Sequence, residues 1–220
     1  MWINDKDLSE YGGKLLMDYK VSGCELDVAT FKGRKRSSFN LLNASAGLKT
    51  LTIPIVFSGT DRADVSNKKS MFEQVAFGKS EMTMDDGLLY SAVLSGIGDP
   101  TYIGNELIKV EYQFTGVRHG EYVKSQGNSI YCDSTLPCTD CILTATVTKS
   151  GVNYKIGSVT FEKVEAGEVL TVDGINGRIL VNDAPAAERA DWIEFPKLVP
   201  GNNKLQCDDT LTVEFYPAYF

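Results

Sequence analysis

The sequence is poor in the residues from which most active sites are built. It has one histidine, His119, so a Ser–His–Asp or Cys–His nucleophilic site would have to use it. His119 lies in GVRHGEY, between Gly116 and Gly120, and reads as an exposed turn or linker residue. No G-x-S-x-G, P-loop or G-x-G-x-x-G is present. Adjacent carboxylates do occur, at Asp85-Asp86 and Asp208-Asp209. Neighbours in a strand point to opposite faces, and neighbours in a turn are solvated. Neither pair therefore reads as a glycosidase acid and nucleophile. No catalytic or cofactor-binding residue is assigned, no cofactor is implied, and the chain is expected not to be an enzyme.

Long apolar runs are also missing. Nothing approaches the roughly 20 residues that cross a bilayer. The opening MWINDKDLSEYGG is acidic and has no apolar core. Membrane insertion and a cleaved export signal are both unexpected. Reduced thiols in a bacterial-type cytoplasm are then the default for the five cysteines, Cys24, Cys132, Cys138, Cys141 and Cys207. Three of them make a C-x5-C-x2-C spacing. Structural zinc prefers two close pairs or added histidines, and here Cys207 would have to supply the fourth ligand. The expectation is no metal, and a thiol-bearing loop followed by a strand.

Positive charge is in short supply. There are 22 basic and 29 acidic residues, a net of −7. The first 120 residues carry 14 basic and 15 acidic side chains, and the last 100 carry 8 and 14. An acidic second half is a poor phosphate binder. The one basic run, Lys32 to Arg36, is short, so no nucleic-acid-specific binding is expected.

What remains is β pattern. With 43% hydrophobic and 23% charged residues, the chain fits a globular protein. Its 220 residues allow one large β domain or two of about 100. Lys20 to Phe31 reads as a strand. Lys49 to Phe57 alternates as a half-buried strand does, and Pro54 within it hints at an edge or a bulge. Glu81 to Met84 and Leu88 to Ser95 flank Asp85-Asp86-Gly87, a hairpin signal. Glu106 to Thr115 alternates again. Within Asp64 to Gly78, Met71, Phe72, Val75 and Ala76 fall at helical spacing, with Ser66 or Asn67 as cap and Gly78 as stop.

The pattern pauses over GVRHGEYVKSQGNS, which suits a linker. Further strands follow at Cys141 to Lys149, at Val152 to Val164 around Gly157, at Glu168 to Val172, at Arg178 to Asn182 and at Thr210 to Tyr216. Pro200 to Asn203 reads as a turn. Short strands with regular turn signals argue a β-sandwich or jelly roll. Such a fold binds sugar, binds protein or builds an assembly. Tyr131, Tyr154, Trp192 and Tyr216 are the aromatic candidates for stacking a sugar ring. Trp192 is expected in the core instead, and Tyr216 and Tyr219 are expected to pin the last strand or face a partner.

The order of these features resembles the distal tail protein (Dit) family of siphophage tails. The resemblance runs through Trp2 to Asn4 and Tyr11-Gly12, the Lys49 to Gly59 strand, the Asn67 to Gly78 helix and the MTMDDGLLYSAVLSG hairpin. It continues through the strand ending in Tyr112, Gln113 and Phe114, then EVLTVDGINGRILVND. It closes on Phe195-Pro196, Leu198, Pro200 to Asn203 and Pro217. The resemblance implies a mainly β chain of two β-sandwich domains. Residues 1–118 would form a ring-forming, tail-tube-like domain with a packed helix, and residues 119–220 a galectin-like domain. It implies a structural virion protein, a hexameric hub at the distal end of a long non-contractile tail, made in the host cytoplasm and carried at the tail tip. Implied partners are other copies of itself, the tail tube protein, a tail-tip fibre protein and a receptor-binding protein. The Lys49 to Phe57 strand and the Asp61 to Asn67 loop are the expected ring contacts. Another phage or phage-derived tail-like part, or a carbohydrate-binding module for host cell-wall polysaccharide, remain as alternatives.

Overall fold

The computed structural model describes residues 1–34 and 37–220; Lys35 and Arg36 of the basic run lie outside them. The chain is mainly β and divides into two compact units, 1–119 with Phe220, and 120–219.

The first unit runs β1 (Trp2–Ile3), β2 (Lys6–Asp7), β3 (Gly13–Leu15), β4 (Lys20–Val21), β5 (Leu26–Phe31), β6 (Asn40–Ala46) and β7 (Lys49–Ser58). Then come α1 (Arg62–Ala76), β8 (Lys79–Thr83), β9 (Leu89–Ile97), β10 (Thr101–Ile103) and β11 (Leu107–His119). Its main antiparallel sheet has the order β2-β1-β8-β9-β11-β7-β3, with β10 also on β11 and β4 also on β7. Alternation places Leu51, Ile53, Ile55 and Phe57 of β7 and Ile108, Val110, Tyr112 and Phe114 of β11 on the buried face. Helix α1 covers that face with Val65, Phe72 and Ala76. Phe72 meets three rings, Tyr11, Phe57 and Tyr112, at centroid distances of 6.1, 5.6 and 5.2 Å.

Several expectations change here. The helix starts earlier than the apolar spacing implied. Asp61 caps it, its carboxylate accepting from the Asp64 N–H at 2.9 Å, so Ser66 and Asn67 lie inside it. Met71 faces outward, more than half exposed. Strand β7 is interior, between β11 and the β3 and β4 pairings, with its apolar side chains in the core. It has no free edge to offer a neighbour along its paired length. Pro54 fits this interior strand because it falls between the β3 and β4 pairings. Its carbonyl there accepts from the Leu16 N–H at 3.0 Å. The side lacking an N–H thus faces that gap rather than β11. The expected strand Lys20 to Phe31 is two strands, broken at Ser22 to Glu25.

The expected linker is mostly strand. Strand β11 runs on to His119, and Gly116 sits in it opposite Ala92. A Cβ at Gly116 would lie 2.3 Å from the Ser91 carbonyl oxygen and 2.6 Å from the Ala92 Cα. Gly116 is there to let two backbones approach, not to supply flexibility.

The second unit runs β12 (Val123–Gln126), β13 (Ser129–Cys132), β14 (Thr139–Thr146), β15 (Gly151–Ile156), β16 (Val159–Val164), β17 (Val169–Asp173) and β18 (Arg178–Val181). It continues with β19 (Ala184–Pro185), β20 (Ala190–Asp191), β21 (Lys197–Leu198), β22 (Gly201–Lys204) and β23 (Leu211–Phe215). The main sheet is β12-β23-β14-β17-β18-β19, with β21 on β14. Smaller pairings join β13 to β22 and β15 to β16 to β20. Leu143, Val172 and Val213 of the main sheet meet Ile130, Ile156 and Phe161 of the smaller ones in one core, which makes a sandwich. Gly201 to Asn203 belong to β22 rather than to a free turn. Asn203 donates to the Val199 carbonyl and accepts from the Val199 N–H, each at 2.8 Å.

Candidate functional site

No set of side chains gathers into a reactive centre among the described residues. His119 is not an exposed loop residue. It ends β11, and its Nε2 lies 3.1 Å from Glu81 Oε2 on β8. The hydrogen bond from His119 holds the Glu81 carboxyl below its usual range. The two flank a shallow recess that includes Trp2 and Asp5.

The adjacent carboxylates do structural work. Asp86 accepts from the Tyr19 hydroxyl and from the Leu88 N–H in the β8–β9 turn. Asp209 accepts from the Thr148 hydroxyl at 2.6 Å and the Tyr154 hydroxyl at 2.7 Å. The Thr148 hydrogen bond keeps the Asp209 carboxyl low, while burial first, then Cys207 and Asp209, push the Tyr154 phenol up. Arg189 grips Glu168 through both nitrogens, at 2.9 and 3.1 Å, and keeps that carboxyl low.

The cysteines do not converge on a metal site. Cys132 and Cys141 are buried in the second core, Cys138 is exposed, and Cys24 and Cys207 are half-buried. The Cys141 thiol points to the Pro196 carbonyl at 3.4 Å, and burial raises its pKa to about 12. Among the described residues no group of three or more His, Cys, Asp or Glu is placed to hold a metal. Thiol labelling at neutral pH is expected to modify Cys138 rapidly and to reach Cys141 only after unfolding. Mass mapping of the labelled peptides checks this. Rapid labelling of Cys141 in the folded chain would show that the second core is not closed.

The aromatic candidates are scattered. Tyr154 is buried. Tyr216 packs on Tyr122 with centroids 5.3 Å apart. Tyr131 is exposed on β13. Trp192, expected in the core, is 36% exposed in the irregular stretch before Pro196, against Phe195 at 6.0 Å. Pro196 ends any alternation there, so the ring cannot be carried inward on a strand face. A groove of the second unit, about 570 Å³, is lined by Thr144, Thr146, Thr210, Thr212, Gln126 and Asp208 and by no aromatic ring. It offers hydrogen bonds but no stacking platform.

The most distinctive surface is one that no motif marked. Strands β5 and β6 form a two-stranded ribbon that pairs with no other described strand. Leu26, Val28, Phe31, Phe39, Leu41 and Leu42 are each more than half exposed. The register pairs Leu26 with Ala46, Val28 with Ala44 and Thr30 with Leu41, and places a bulge beside Leu42. Cross-strand partners share a face. One face therefore carries Leu26, Val28, Leu41, Ala44 and Ala46 with Thr30, while Asp27, Ala29, Phe31, Asn40, Asn43 and Ser45 make the other.

No family model matches the chain, and no curated protein matches it. Solved structures do. The SPP1 Dit (gp 19.1) protein, described as a paradigm of hub adsorption apparatus in Gram-positive-infecting phages, is similar with a TM-score of 0.70. The identity is 14%, and the match covers 99% of this chain and 98% of that one. A chain of the phage P2 baseplate in its activated conformation with Ca is similar with a TM-score of 0.52 and 7% identity, over 96% and 92% of the two chains. The same baseplate with Sr gives 0.51. At these identities the likeness is one of fold, and it spans both units: the chain has the fold of the Dit hub protein of phage tails.

Proposed function

We propose that this chain is a structural part of a phage tail, a hub of the baseplate or tail tip. The observation that carries this reading is the match to SPP1 Dit over nearly the full length of both chains. In this reading six copies close into a ring at the distal end of a long tail. Residues 1–119 build the ring and meet the tail tube protein. Residues 120–219 dock a tail-tip fibre or receptor-binding protein. Glu81, Asp86, Asp209 and Glu168 are each engaged in local hydrogen bonds, which fits a role without turnover.

A closed ring of identical copies needs two different, mutually complementary patches on each subunit. Solution mass tests the reading. A ring of six would weigh about 145 kDa from chains of 24.1 kDa. A protein that stays at 24.1 kDa at every concentration, and binds a cell-wall polysaccharide, would overturn it in favour of a carbohydrate-binding module.

A further inference from the structure

We infer that a groove of the second unit, bordered by Lys197 and Lys204, binds an extended acidic segment of a partner polypeptide, with apolar side chains among its carboxylates. The inference rests on the reading above that residues 120–219 dock another tail protein. It names the surface and the chemistry of that contact.

The groove is about 540 Å³ and lies between two stretches of chain. Glu194 to Lys197 and Val199 make one wall, and Lys204 to Gln206 make the other. Both walls are tied to the turn between β15 and β16. The Gly157 N–H donates to the Gln206 carbonyl at 2.8 Å, and the Ser158 hydroxyl donates to the Glu194 carbonyl at 2.9 Å. Gly157 takes a positive φ of 59°, and a Cβ there would come within 2.9 Å of the Pro196 Cβ. The first wall is fixed a second time. Lys197 and Leu198 pair with Asp140 and Thr139 of β14, and Asn203 holds both backbone groups of Val199. Walls set before binding spare the contact part of its ordering cost.

Charge names the guest. The last 100 residues carry 8 basic and 14 acidic side chains. Lys124, Lys163 and Arg189 are each paired with a carboxylate, on Glu214, Glu165 and Glu168. Lys197 and Lys204 are exposed and enter no ion pair among the described residues. One acid, Glu194, lines the groove with them. An acidic unit thus turns two uncompensated cations into one trough, which attracts carboxylates. Phe195, Pro196, Val199 and Leu205 add apolar lining. Trp192 and Ile193, exposed just before the first wall, extend it. A phosphate polymer has no apolar side chain for this lining, and the unit's surplus of acids repels its uniform charge.

The test uses the full chain and a short fluorescein-labelled peptide of aspartate and leucine, read by anisotropy. The peptide is expected to bind, and to bind less well as salt is raised. Lys197→Glu with Lys204→Glu is expected to weaken it about tenfold, by turning attraction into repulsion. Val199→Asp is expected to weaken it through the apolar lining. All three side chains are exposed, so the variants keep the melting curve of the unaltered chain. Bound peptide is also expected to slow labelling of Cys138, the exposed thiol of the groove. No binding, equal binding by the charge variant, or Cys138 labelling unchanged by saturating peptide would overturn the inference. Inorganic polyphosphate binding as tightly as the peptide would overturn it too, in favour of a site for charge alone. Solution mass reads the ring separately. A ring that ignores the peptide fails the groove and leaves the hub, and a monomer that binds the peptide fails the ring and leaves the groove.

Discussion

Phe72→Ala is expected to lower the stability of residues 1–119 by about 4 kcal/mol, the range measured for deleting a buried aromatic ring. Phe72 is fully buried where α1 meets the sheet. Its ring contacts Tyr11, Phe57 and Tyr112, so truncation removes three edge or tilted ring contacts along with the buried area. The neighbours cannot close the void. Phe57 and Tyr112 are held by the ten-residue register between β7 and β11, and Tyr11 by the short helical turn Leu8–Tyr11. A loss of this size is a large part of a domain's whole stability. Calorimetry should show the transition of this unit falling by on the order of 15 °C. The transition of residues 120–219, with its separate core, should stay in place. A single transition that moves as one would contradict two independent cores.

Gly116→Val is the second large effect, through a different cause. The added Cβ meets backbone, the Ser91 carbonyl oxygen and the Ala92 Cα. Backbone cannot rotate away as a long side chain can, so β9 and β11 must part at the centre of the sheet. Overpacking costs about 1–3 kcal/mol when side chains can shift, and a backbone clash belongs at or above the top of that range. Gly23→Ala is the control, since nothing lies within 4 Å of a Cβ there. The pair separates close approach from glycine's chain entropy. Equal melting of both variants would mean that the β9–β11 approach is looser than described.

These two sites also show what the sequence reveals and what it hides. Strands with strict alternation, β7 and β11 above all, were legible because the period of two is a direct consequence of pleating. The β8–β9 hairpin was legible from Asp85-Asp86-Gly87, and Gly87 does take a positive φ of 80°. Gly116 reads as a linker residue in the sequence because a glycine that permits contact and one that permits bending look alike in a string. The first turn of α1 was missed because Arg62 to Asp64 are polar and apolar spacing begins later. The signal present was Asp61, a capping residue three before Asp64. The Asn4-Asp5 and Asn182-Asp183 pairs both take the left-handed conformation, marking tight hairpin turns. Asn and Asp tolerate that region, so the Asn-Asp pairs are a legible turn signal. The exposed face of the β5–β6 ribbon was hidden for a deeper reason. Leu26 and Val28 satisfy the pattern of a half-buried strand, and pattern alone does not say whether a covering layer is present.

The central proposal is that this chain closes a ring in a phage tail, and imaging of the purified protein tests it most directly. Negative-stain class averages are predicted to show a sixfold ring with a central hole, from a sample whose mass matches six chains. Isolated particles of single-chain size at every concentration, with no ring in any class, would contradict the account.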